Sequence, residues 1–139
     1  TALELDKLAP EKRVLVVEDH PINAEIIKRL LQKKGILIEA VTNGQEAVDI
    51  FKNRPAWYFD IILMDIRMPV MDGLVASKLI RETDKEDAKK VVIIAMTANV
   101  LDEDVKKSKC FGMNDHITKP INSDKLFLII KQQLLNKYD

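Results

Sequence analysis

Five side chains in this sequence have the types and positions to do chemistry together: Glu18, Asp19, Asp65, Thr97 and Lys119. Val14-Leu15-Val16-Val17 runs into the acidic pair, and Ile61-Ile62-Leu63-Met64 runs into Asp65. Val91-Val92-Ile93-Ile94-Ala95-Met96 leads to Thr97, and the shorter Asp115-His116-Ile117-Thr118 leads to Lys119. Apolar runs without polar alternation read as strands covered on both faces. Each group therefore stands where a strand stops, and in open α/β sheets that is where ligands bind. A turn-starting aspartate is common after strands, so Asp65 alone decides nothing. The set of five does.

With the flavodoxin-like strand order 2-1-3-4-5, the first and third strands are neighbours and Glu18, Asp19 and Asp65 crowd at one end of the sheet. Two unit negative charges about 4 Å apart repel by roughly 4 kcal/mol at an effective dielectric near 20. Such a cluster demands positive charge. Lys119 supplies one unit, and a hard divalent cation supplies two. Oxygen-only ligands favour Mg²⁺ over zinc or copper, and Mg²⁺ is held by one or two carboxylates together with phosphate oxygens. The chemistry implied is phosphate chemistry.

The elements that position these groups alternate along the chain. Pro21 suits the first turn of a helix that runs to about Lys34 and stops at Gly35. Ile36 to Val41 reads as an outer strand, and Thr42-Asn43-Gly44 turns into a helix that Pro55 ends. After the central strand, a helix spans about Gly73 to Glu82, and Asp84 to Lys90 reads as a charged surface loop. Asp102 to Cys110 forms a helix with little to bury except Val105, and Ser123 caps the last helix. Five strands alternating with five helices imply a doubly wound α/β three-layer sandwich with a parallel sheet and right-handed crossovers. Residues 1–12 read as a tail or linker and 13–137 as one domain.

Composition narrows the class further. The 139 residues are 47% apolar, with 22 basic and 22 acidic side chains, so net charge gives no reason to expect nucleic-acid or membrane contact. One cysteine excludes an internal disulfide, and no apolar stretch approaches a bilayer span. The expectation is a cytoplasmic domain, free or as the cytosolic part of a membrane-anchored protein.

Four pieces in order carry a resemblance: Val16-Val17-Glu18-Asp19, Leu63 to Gly73 (LMDIRMPVMDG), Ala95-Met96-Thr97-Ala98 and Thr118-Lys119-Pro120. From Arg13 to Leu135 the chain resembles the receiver domain of two-component response regulators. Met96-Thr97-Ala98-Asn99 and Gly112-Met113-Asn114-Asp115-His116 make it most similar to receivers of hybrid sensor histidine kinases. The resemblance implies that Asp65 is a nucleophile taking a phosphoryl group from a phosphohistidine. It implies Mg²⁺ held by Asp19 and Asp65, by Glu18 through water and by the Arg67 backbone carbonyl. Lys119 and the Thr97 hydroxyl would contact phosphoryl oxygens, and the Lys119-Pro120 bond would be cis. The partners implied are a histidine-kinase domain or a histidine phosphotransfer protein. The domain would catalyse its own phosphorylation and slow dephosphorylation, with Arg67 and Asn99 influencing the latter.

Phosphorylation would draw Thr97 inward and move the loop after it. The family's aromatic switch position holds His116 here, leaving a switch role and a plain surface role both open. On the first helix, Asn23, Ile27, Leu30 and Leu31 share one face, while Ile22 and Ile26 lie off its edge. These two, with Pro120, are either partly buried or a docking surface for a helical phosphodonor. The methionines and Cys110 read as packing groups, His20 as no zinc ligand, and Trp57 and Tyr58 as cover for a loop. A flavin carrier would need a glycine- and hydroxyl-rich loop where Glu18-Asp19-His20-Pro21 stands. A phosphatase with an aspartyl nucleophile would need a general acid where Arg67 stands, and a binding-only pseudo-domain would not need the full acidic, Thr and Lys set.

Overall fold

The computed structural model describes Lys7 and residues 9–98 and 103–138. Among these, five parallel strands lie in the order β2-β1-β3-β4-β5. They are β1 (Arg13–Val17), β2 (Leu37–Val41), β3 (Ile61–Asp65), β4 (Val92–Thr97) and β5 (Asp115–Thr118). The helices are α1 (Pro21–Gln32), α2 (Gly44–Asn53), α3 (Gly73–Arg81), α4 (Glu103–Lys107) and α5 (Ser123–Tyr138). Every residue of β3 and β4 is buried, whereas β2 is partly exposed along its length, as an edge strand should be.

Strand periodicity divides the core into two layers. Val14, Val16, Ile61, Leu63, Ile94, Met96 and Ile117 face Ile27 and Leu31 of α1 and Leu126, Ile130 and Leu134 of α5. Their neighbours Leu15, Val17, Ile62, Met64, Ile93 and Ala95 face Ala47, Val48 and Phe51 of α2 and Leu74, Ala76 and Ile80 of α3. Each fully buried side chain of this size contributes about 1.5–3 kcal/mol. The strands are thereby fixed on both sides, and so is whatever follows them.

The starts of α2, α3 and α5 are capped by side chains. Asn43 accepts from the Glu46 amide at 2.9 Å and Asp72 from the Val75 amide at 2.9 Å. The cap of α5 is Asn122, which accepts from the Lys125 amide at 3.0 Å, and not Ser123 as the sequence suggests. α4 is shorter than the expected Asp102–Cys110, and Asp102 lies outside the described residues. Ser108 donates both its amide (3.1 Å) and its hydroxyl (2.6 Å) to the Val105 carbonyl, which tightens the chain into a turn. That turn sends Met113 into the core and leaves Cys110 exposed, so the cysteine is not a packing group.

The segment Asp84–Lys90 is also more than a surface loop. Asp87 is fully buried and accepts from the Trp57 amide at 2.8 Å, holding that residue at a φ of 65° ahead of β3. The Lys85 ammonium donates to the Phe51 carbonyl at 2.6 Å and to the Arg54 carbonyl at the end of α2. Nor is the end of the supposed tail loose. Ala9 is buried in the core, and the Glu11 amide donates to the Gly35 carbonyl at 3.1 Å.

The loop between β3 and α3 is pinned at two glycines. Gly44 donates its amide to the Met71 carbonyl at 3.1 Å, and Gly73 donates to the Ile66 carbonyl at 2.8 Å. A Cβ on Gly73 would stand 2.2 Å from the Asp65 carbonyl oxygen and 2.9 Å from Met64 Cγ. Gly73→Ala should therefore push α3 away from the end of β3 and destabilise by about 2 kcal/mol or more. Urea unfolding measures this, and a loss below about 0.5 kcal/mol would show that the contact relaxes freely.

Candidate functional site

The carboxyl ends of β1, β3 and β4 and the residue after β5 converge on a cleft of about 180 Å³ lined by Asp19, Asn23, Asp65, Arg67, Thr97 and Lys119. Glu18 follows β1 and still donates its amide to the Val41 carbonyl at 3.1 Å, so the sheet fixes its backbone. Its side chain lies beneath the cleft with 1% of its surface exposed. Asp65 and Thr97, each 5% exposed, end β3 and β4, while Asp19 at the cleft mouth is exposed. The Lys119 amide donates to the Thr97 carbonyl at 2.7 Å, and the Lys119-Pro120 bond is cis.

One ammonium ties the acidic groups together. Lys119 Nζ lies 2.8 Å from Asp65 Oδ2, 2.9 Å from Glu18 Oε1 and 3.2 Å from Glu18 Oε2. Asn23, in the first turn of α1, donates its side-chain amide to Glu18 Oε1 at 2.9 Å. Glu18, Asp19 and Asp65 each offer an oxygen within 4.8 Å of the others. Three carboxylates against one ammonium leave a deficit of two positive charges, and the donors are all oxygen. This arrangement fits a hard dication of the Mg²⁺ type.

Burial is the largest influence on Asp65, and together with the neighbouring Glu18 it pushes the carboxyl up to about 7 against the pull of Lys119. Burial also opposes ionisation of Glu18. Hydrogen bonds with Asp65, Lys119 and Asn23 outweigh it and hold that carboxyl below its ordinary value. For Lys119 burial again opposes the charged form, but Asp65 and Glu18 prevail and raise its pKa. Without a cation, then, burial favours the protonated form of Asp65, whereas Glu18 is held in its ionised form.

The site residues named from the sequence divide into those gathered at the cleft and those away from it. Glu18, Asp19, Asp65, Thr97 and Lys119 meet, and the Arg67 residue lines the cleft. His116 does not; it is exposed on the edge strand β5, its amide donating to Asp115 Oδ1 at 2.8 Å. Ile22 (68% exposed), Ile26 (45% exposed) and the exposed Pro120 lie on the outer surface. Asn99 lies outside the described residues. Sequence reading overlooked Asn23 as a partner of Glu18, although its position pointed there: it is the polar member of the core-facing stripe of α1.

A parallel α/β sheet with carboxylates, a threonine and a lysine gathered at its strand ends defines a module for handling phosphate beside a cation. The chain belongs to the response regulator receiver domain family, whose pattern matches residues 14–131. It is 40% identical over 131 residues to hybrid signal transduction histidine kinase I of Dictyostelium discoideum, covering 92% of this chain and 7% of that protein. The receiver domain of a Pseudomonas aeruginosa sensor histidine kinase, crystallised with magnesium coordinated in its active-site cleft, superposes with a TM-score of 0.79 at 35% identity. That match covers 89% of this chain and 98% of the other. The receiver of the Saccharomyces cerevisiae response regulator Ssk1, solved in complex with the histidine phosphotransfer protein Ypd1, gives 0.78 at 34% identity over 91% of each chain. The present chain spans 7% to 18% of the length of the curated relatives it matches. Among the described residues no helix is long and apolar enough to cross a membrane.

Because the Asp65 pKa is raised from 3.8 to about 7, the folded state keeps a proton that the unfolded chain releases in that interval. The unfolded state binds fewer protons there, so this group's contribution to stability falls as pH rises through the interval. Asp65→Asn should raise the Tm at pH 8 in EDTA by on the order of 5 °C. The gain should shrink at pH 5, and Mg²⁺ should stabilise the unmutated chain. Thermal unfolding followed by circular dichroism tests this; an unchanged or lower Tm for the variant at pH 8 contradicts it.

Proposed function

We propose that this chain is a phosphoacceptor that takes a phosphoryl group from a phosphohistidine onto Asp65 and passes on the signal through the change that follows. The observation that carries the reading is the Asp65 carboxylate at the end of the central strand, 2.8 Å from the Lys119 ammonium and within reach of Glu18 and Asp19. A carboxylate oxygen attacks phosphorus, the P–N bond of the donor breaks, and the imidazole nitrogen keeps the electron pair. Positioning and charge neutralisation are nearly all that such a transfer needs from a protein. The apolar layers hold Asp65 still, Lys119 meets charge on the phosphoryl oxygens, and the Thr97 hydroxyl donates to another of them. Mg²⁺, held by Asp19, Asp65, Glu18 and the Arg67 carbonyl, would supply the remaining positive charge.

The phosphoryl group adds charge and acceptors at a point where Thr97 leads into the next loop, and Thr97 is the switch residue of this reading. His116 stands exposed outside the cleft, which favours its plain surface role. The domain, proposed as residues 13–137 with the packed residues 9–12 leading in, fits the receiver of a hybrid histidine kinase better than a free regulator. Support comes from the kinases among its relatives. The donor would be a histidine-kinase domain or a histidine phosphotransfer protein, as supported by the Ssk1 neighbour, with Ile22, Ile26 and Pro120 as docking residues.

Incubated with Mg²⁺ and a panel of purified phosphorylated kinases and phosphotransfer proteins, the chain should gain acid-labile phosphate from at least one. Asp65→Asn should gain none from any. Equal labelling of the variant would place the acceptor elsewhere. Ile22→Ser and Ile26→Ser should slow transfer from the protein donor by about tenfold. Transfer from phosphoramidate, which needs no docking, should stay at the unmutated rate with the Tm unchanged; equal slowing with both donors would remove these residues from the docking surface.

A further inference from the structure

The side chain that fixes Glu18 has no role in the chemistry described so far. We infer that Asn23 is a positioning residue for phosphoryl transfer, acting through Glu18 on Lys119; this rests on reading the cleft as a phosphoacceptor site. Lys119 Nζ has three hydrogens, and its three contacts are Glu18 Oε1, Glu18 Oε2 and Asp65 Oδ2. Two of the three acceptors belong to Glu18. The direction of the ammonium is thus set by where the Glu18 carboxylate stands.

Glu18 cannot hold that place alone. A glutamate has one more rotatable bond than an aspartate, and only its backbone is held by β2, through the Val41 carbonyl. The further side-chain contact to its carboxylate comes from Asn23 Nδ2, 2.9 Å from the same Oε1 that faces Lys119. Asn23 stands in the first turn of α1, whose inner face is anchored by the buried Ile27 and Leu31. The cleft therefore inherits rigidity from a helix packed on the sheet, which is how supporting hydrogen bonds orient a reactive group.

The chemical type of the residue matters. Asn23 is a neutral donor, so it orients Glu18 without competing for the charge that binds Lys119. A lysine or arginine there would form its own ion pair with Glu18 and release Lys119, and a serine hydroxyl would fall short of the carboxylate. Nor does the asparagine serve the helix in the usual way. The residue before α1, His20, makes no side-chain cap, and the first turn carries no acidic group. A side chain three residues into a helix commonly reaches back to satisfy the helix start. This one reaches into the cleft.

A double-mutant cycle separates the inference from a purely structural role. Asn23→Ala removes the donor and adds no charge beside Glu18. With phosphoramidate as donor and saturating Mg²⁺, Asn23→Ala should phosphorylate Asp65 about tenfold more slowly or worse. In a Glu18→Gln background, Asn23→Ala should change the rate by less than about twofold, because the group it acts through is already altered. A residue that only supports the helix would slow the reaction equally in both backgrounds. An unmutated rate in Asn23→Ala, or the full loss persisting in the Glu18→Gln background, overturns the inference. A complete failure of the unmutated chain to accept phosphate would instead overturn the phosphoacceptor reading itself.

Discussion

Everything in the cleft depends on one ammonium reaching two buried carboxylates from the far side of the sheet. Lys119 follows β5, and Asp65 ends β3, with β4 between them. Adjacent strands stand about 4.8 Å apart, so the lysine spans roughly two strand spacings. It can do so because the end of β4 continues into Ala98, a small residue at the cleft wall. Without Lys119, Glu18 and Asp65 would be buried like charges with no positive charge beside them to offset their desolvation. Its 2.8 and 2.9 Å contacts make that juxtaposition tolerable.

The sheet order follows from the same requirement. β1 and β3 are parallel neighbours, with Val17 level with Met64, so Glu18 and Asp65 leave their strands at the same height. A shift of either strand by one residue would turn its core residues to the wrong layer. The two apolar layers therefore do more than stabilise the domain. By penalising every other register, they set the separation of groups whose chemistry depends on ångström-scale placement. Gly73 closes the arrangement from the α3 side, since its amide meets the Ile66 carbonyl directly behind Asp65.

Where chemistry coincided with periodicity, the chain could be read directly. Three buried strands appear as apolar runs, and each ends in a polar residue of the site, so fold and cleft were legible from the same letters. Interactions between distant polar residues were not. Arg81 donates to the Gly112 carbonyl at 2.7 and 3.0 Å and to the Ala88 carbonyl at 3.0 Å, partners that no local pattern announces. Asp87 looks like any charge in a charged loop, yet it is buried because the left-handed Trp57 needs an acceptor for its amide. Asn23 was hidden differently. It belongs to the stripe of Ile27, Leu30 and Leu31, where a pattern of apolar spacing treats a polar residue as an interruption.

The charge balance explains why the site is built short of neutrality. A second lysine would halve the acidic excess of two, but it would also occupy carboxylate oxygens that a cation could use. With only Lys119, a proton on Asp65 meets part of the deficit, and a dication bound there would compete with it. On the phosphoacceptor reading, the proton would quench Asp65 as a nucleophile, whereas a bound dication would leave its oxygens ionised. Mg²⁺ held by these carboxylates would thus favour the ionised form of a carboxyl that burial pushes up to about 7. On that reading, the strain of the metal-free cleft would be the same property that makes it reactive when filled, and a more comfortable arrangement of charges would make a worse phosphoacceptor.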